Sequence, residues 1–120
     1  MNKTLTLAHN YLKAANHIVA VGDTDLYAPA CSDISFAIKL CLQFLLSRSS
    51  IQIAGSYSIS ALIETLASEG YQIGDWLVQH ADAIDSWKTG MLMSVEPALC
   101  LEGLDRAQKL LEYCTTLDTE

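Results

Sequence analysis
The chain has 120 residues, of which 51% are hydrophobic and 18% charged, so it is richer in apolar and poorer in charged side chains than an average globular domain. A chain of this size makes one domain and one core, burying roughly two thirds of the surface it exposes when unfolded. The net charge of −7 is uneven: residues 1–60 carry four basic and three acidic side chains, residues 61–120 three basic and eleven acidic. An acidic surface without a Lys/Arg cluster repels a phosphate backbone, so nucleic-acid binding by this chain alone is not expected.

The apolar spacing predicts five helices with short breaks at Gly22 to Asp25, Ser47 to Ser58, Gly70 to Asp75 and Thr89 to Pro97. The first, about Lys3 to Val19, puts Leu5, Ala8, Leu12, Ala15 and Val19 on one stripe, with Gly22 as the stop. The second, about Asp25 to Leu46, begins at an acidic cap and holds Pro29 near its first turn, where proline is tolerated. Tyr27, Cys31, Ile34, Ile38, Cys41 and Leu45 share one face, flanked by Ala30, Ala37, Leu40 and Phe44. That leaves a polar stripe of Ser32, Ser35, Lys39 and Gln43. A helix apolar over so much of its circumference must be covered on more than one side.

The third helix, about Ser58 to Ser68, carries Ile59, Leu62, Ile63 and Leu66 and stops before Gly70. The fourth, about Asp75 to Lys88, offers Leu77, Ala81, Ile84 and Trp87, and its two tryptophans, Trp76 and Trp87, are eleven residues apart and so on one face. The fifth, about Glu96 to Leu117, aligns Cys100, Leu104, Ala107, Leu111 and Cys114. The one β-leaning run, Ser50 to Ile53, is too short to build a sheet. The fold class that follows is all-α, an up-and-down bundle of four to five helices forming a single domain over residues 1–120.

No stretch has the uninterrupted apolar length of a membrane span, since Asp33 and Lys39 break the most hydrophobic one, Ala28 to Leu46. The N-terminal segment is broken by His9, Asn10, Lys13 and Asn16, so a secretory leader is not expected and a cytoplasmic location is. Cys31, Cys41, Cys100 and Cys114 show no metal or redox spacing and read as reduced packing residues. His9, His17 and His80 form no metal motif, and the carboxylate pairs Asp82/Asp85 and Glu102/Asp105 read as solvated faces. The serines of 47–60 lack a GxSxG turn, and AGSYS lacks the GK[ST] ending of a phosphate loop. No cofactor, metal site or catalytic residue is indicated.

The order and lengths of the helices resemble HEPN-domain proteins, small helical bundles of prokaryotic toxin–antitoxin and nucleotidyltransferase-linked systems. YAPACSDISFAIKLCLQFLL is similar to the family's long second helix, SYSISALIETL to its short third, and LEGLDRAQKLLEYCTTL to its last. There are departures. Lys39 and Gln43 stand where a glutamate and a lysine are common, and Tyr57 where a histidine often opens the third helix. The ribonuclease members carry an Arg, which holds the phosphate, followed four to six residues later by a His, which helps activate the 2′-hydroxyl. Neither Arg48 nor Arg106 has that histidine, and DSWKTG, at about the motif's position, offers only Lys88.

The resemblance therefore implies a non-nuclease member: a homodimeric binding or regulatory subunit acting with a nucleotidyltransferase-like partner protein. The spare apolar face of the second helix is the expected dimer contact, through Tyr27, Ala30, Ile34, Ala37, Ile38, Leu40, Cys41 and Phe44. Two alternatives stay open. One is an RNA-directed nuclease with a non-standard site using Lys88 or Tyr57. The other is a small-molecule-binding bundle whose pocket is lined by Trp76, Trp87 and Met91, with Met93 beside it.

Overall fold
The computed structural model describes residues 2–51, 58–87 and 96–119. Among these the chain forms α1 (Lys3–Val21), a short 3-10 turn (Thr24–Leu26), α2 (Tyr27–Arg48), α3 (Ile59–Ser68), α4 (Asp75–Trp87) and α5 (Pro97–Asp118). No strand occurs among the described residues.

Particular residues set several of the helix ends. Asn2 accepts from the Thr4 amide at 2.7 Å to start α1, and Gly22 ends it in the left-handed region at φ 80°, returning its N–H to Val19, a conformation that a side chain would disfavour. α2 starts two residues later than its acidic residues suggest. Asp23 caps the 3-10 turn instead, accepting from the Asp25 amide at 3.0 Å, and the α-helix proper begins at Tyr27. Pro29 then lies in the first turn, where the missing N–H removes no bond. Ser58 caps α3 by accepting from Ala61 at 3.1 Å. Asp85 of α4 accepts from Ile59 N at 3.2 Å, tying the two short helices together. Pro97 opens α5.

α2 is the axis of the bundle, and α1, α3, α4 and α5 all pack against it. Twelve of its 22 residues are buried. α1 returns antiparallel to it, and both helices contribute fully buried alanines, Ala8 and Ala15 from α1 and Ala30 and Ala37 from α2. α5 runs parallel to α2. Ile34 sits beside Gly103 near the start of both helices, while Arg48 donates to the Leu117 carbonyl at 2.9 Å near their ends, a cation on the last turn where the helix dipole favours one. Asn2 N donates to Asp118 at 3.0 Å, closing the same end of the bundle. α2 with its leading turn, Thr24–Arg48, is long and apolar enough in composition to cross a membrane, but its most apolar window is 61% buried inside the bundle. Such burial is the pattern of a core helix.

Gly103 is the tightest point. A Cβ there would lie 3.1 and 3.2 Å from the Trp87 ring and 3.6 Å from Ile34, and Trp87 is only 4% exposed. Gly103→Val should therefore cost about 1–3 kcal/mol by overpacking, read in urea denaturation, with Trp87 fluorescence shifting to the red. A variant as stable as the parent would show that the α4–α5 junction is loose.

Candidate functional site
The residues expected to meet a second chain are already covered by their own. Tyr27, Ala30, Ile34, Ala37, Ile38, Cys41 and Phe44 are 0–7% exposed within the single chain, and Leu40 is half-buried. The physical reason is that four helices, rather than two, lie against α2. Ser35 is also buried, at 1%, so it does not belong to the polar stripe.

On the outer side of α2 Phe36 and Gln43 are exposed, with half-buried Ser32, Asp33, Lys39 and Leu40 around them. Phe36 is 38% exposed and stacks on Tyr11 of α1, ring centroids 5.4 Å apart at 22°. Leu7, one turn before Tyr11, is 47% exposed. Two helices thus build an outward apolar face of Leu7, Tyr11, Phe36 and Leu40. Asp33 borders it, and burial pushes its carboxyl above the usual aspartate range.

A second concavity lies on the other side of α1, between α1 and α5. This groove of about 860 Å³ has Leu12, Ala20 and Leu111 in its lining, with His9, Lys13 and His17 along α1 and Gln108 and Glu112 on α5. α1 contains no acidic residue, so the carboxylate of the groove, Glu112, comes from α5 and faces Lys13 and the two imidazoles of α1. It can offer cationic and imidazole donors over an apolar floor.

The tryptophan pair is divided by the fold. Trp87 is core. Trp76 is half-buried, donates its ring N–H to Glu102 at 3.1 Å, and stacks on His80 at 4.4 Å. His80 Nδ1 lies 2.8 Å from the Trp76 carbonyl; a carbonyl only accepts, so Nδ1 carries the proton. Trp76 also edges a cleft of about 200 Å³ with Gln72, Arg106 and Tyr113. Met91, Met93, Lys88 and Tyr57 lie outside the described residues. The carboxylate pairs are likewise split: Asp85 holds the start of α3 and Glu102 holds Trp76. Asp105 makes an exposed i,i+4 pair with Lys109 at 3.1 Å, which adds little stability. Among the described residues no three His, Cys, Asp or Glu converge as a metal site.

With the bundle and its surfaces in view, comparison with solved structures finds a HEPN domain protein from Thermotoga maritima. It superposes with a TM-score of 0.73 over 99% of both chains at 19% sequence identity. The chain has the HEPN-domain fold. No family model matches the sequence, and no curated protein matches it. The likeness is one of architecture, carried by helix order and length across the whole chain.

Asp33 gives a test of the outer face. Its raised pKa means that the folded protein holds the proton more tightly than the unfolded chain. The contribution of Asp33 to stability is therefore fully present below the unfolded-state value of 3.8 and is lost as pH rises through the folded-state value, leaving a charged, partly desolvated carboxylate at neutral pH. Asp33→Asn should raise Tm at pH 7 and leave it unchanged near pH 3. An equal or lower Tm at pH 7 would place Asp33 in contact with a cation.

Proposed function
We propose that this chain is a non-catalytic, HEPN-like binding subunit of a prokaryotic cytoplasm, paired with a second copy and acting on a nucleotidyltransferase-like partner protein. The observation that carries the reading is the outward apolar face of α1 and α2. Leu7 and Phe36 stay substantially exposed although the chain has buried almost every other large apolar residue of α2. Stacked aromatic and aliphatic side chains on one flat two-helix surface suit a symmetric helix-to-helix contact, in which the same patch meets itself. The absence of an Arg-x4-6-His motif in the sequence supports a binding role over RNA cleavage. The nucleotidyltransferase partner rests on the family resemblance.

The groove between α1 and α5 favours a second reading, a bundle that takes a small ligand. Its size and mixed lining of apolar, amide, imidazole and charged groups, Lys13 facing Glu112, are those of a ligand site. Saturable binding of a small organic anion, lost in Lys13→Ala, would promote it.

Sedimentation at micromolar concentration should give twice the 13.1 kDa chain mass. Phe36→Glu should give the single-chain mass with unchanged helicity, because a carboxylate forced into an apolar contact costs on the order of several kcal/mol. Val78→Glu, at a site on α4 that is 56% exposed, should stay paired. A wild-type monomer would defeat the pairing. Purified protein should leave single-stranded and transfer RNA intact; cleavage abolished by Lys88→Ala or Tyr57→Phe would establish a nuclease instead.

A further inference from the structure
α1 and α5 pack directly on each other, and their solvent sides leave between them the groove of about 860 Å³. Its two banks differ in chemistry. On α1, His9, Lys13 and His17 recur at every fourth residue, so they stand one helical turn apart in a row along the groove. On α5, Gln108 and Glu112 stand opposite at the same spacing. Lys13 and Glu112 line one groove, yet among the described residues they make no ion pair, and the His9 and His17 rings make no hydrogen bond. Asn16 differs, since its amide donates to the Leu12 carbonyl of its own helix at 3.0 Å. Opposite charges that face each other without closing leave both banks open to a third element. The floor is shallow, because Leu12 and Leu111 are only 2% and 8% exposed. From His9 to Ala20 the groove extends along α1 for roughly 16 Å, at about 1.5 Å per residue.

We infer that this groove is the docking site for one helix of a partner protein, about three turns long, with carboxylates at every fourth residue along one edge. Small residues run down its seam, and a lysine or arginine stands on its other edge. The inference rests on the reading of this chain as a binding subunit and supplies the place where its partner meets it. Charge complementarity selects the occupant. The row on α1 repeats about every 6 Å, four residues at about 1.5 Å each, and a helix laid alongside presents carboxylates at i, i+4 and i+8 with the same repeat. Glu112, the one acid in the lining, takes the cation of the opposite edge. A shallow floor demands small seam residues, since a bulky one would hold the helix off both banks. A small anion would meet one turn of the row and leave the others unpaired. Helix-in-groove recognition of this kind draws its specificity and register from the charged edges.

The probe is a fluorescein-labelled, alanine-based peptide, stapled to hold it helical, with Glu at i, i+4 and i+8 and Lys on the opposite edge. Fluorescence anisotropy should show saturable binding to the full chain that weakens with salt. Changing the three Glu to Gln, or the protein's exposed Lys13→Glu, should weaken it roughly tenfold with helicity of the protein unchanged. A peptide whose central Glu is Lys should bind Lys13→Glu better than it binds the parent, a reversal that a folding defect cannot produce. Sedimentation of the mixture separates the two claims: peptide bound to a single-chain species would end the pairing and leave the docking site standing. A paired protein that ignores the peptide would overturn the docking site alone. Equal binding of the Gln peptide, or no reversal in Lys13→Glu, would also overturn it. So would saturable binding of benzoate without binding of the peptide, which would give the groove to a small ligand. If Lys13→Glu turned a paired protein into single chains, the groove would belong to a second copy and the proposal would fail.

Discussion
α2 carries apolar side chains around most of its circumference, and a helix of that kind has no stable place in water until other helices sheathe it. Each fully buried aliphatic side chain contributes roughly 1.5–3 kcal/mol against the entropy of ordering the chain, and Ile34, Ile38, Leu42 and Leu45 all reach 0% exposure. The remaining architecture follows from meeting that demand with short elements. α1 closes one side through alanines, α3 and α4 close another as a tied pair, and α5 lies along the length of α2 in parallel. The polar bonds at the ends, Arg48 to Leu117 and Asn2 to Asp118, hold that arrangement in register.

The same demand explains why the surface is uneven. Once α1 has turned its buried stripe to α2, Leu7 and Tyr11 are left beside Phe36, and the side of α1 that faces α5 is left with His9, Lys13 and His17. One helix therefore borders both an apolar face and a groove of mixed polar and apolar lining. The apolar face and the groove lie on opposite flanks of α1 and share no residue.

Periodicity and breakers in the sequence carry the helices well: Gly22, Ser58, Gly70 and Pro97 lie where α1, α3 and α5 begin or end. The candidate surfaces were less legible. A pattern of spacing tells which side of α2 is apolar but not how many helices cover it, so residues such as Ala37 and Phe44 suggested a second chain when the chain's own helices suffice. Phe36 had a readable signal, because at 100° per residue it falls among Ser32, Lys39 and Gln43, an aromatic in a polar stripe. Ser35 had none; its burial depends on where its neighbours pack. Nor could spacing along the sequence reveal which residues of α2 and α5 meet, since that depends on how the two helices lie side by side, as Ile34 with Gly103 and Cys41 with Cys114 show. Met91, Lys88 and Tyr57 fall outside the described residues.

The most direct test of the account is amide hydrogen exchange of α2 followed across a wide range of protein concentration. If the chain's own helices sheathe α2, the amides from Ile34 to Leu45 exchange only on global unfolding, and their protection stays constant on dilution. Loss of protection in that segment on dilution, with α1 and α5 still protected, would mean that a second chain covers α2 and would contradict the account.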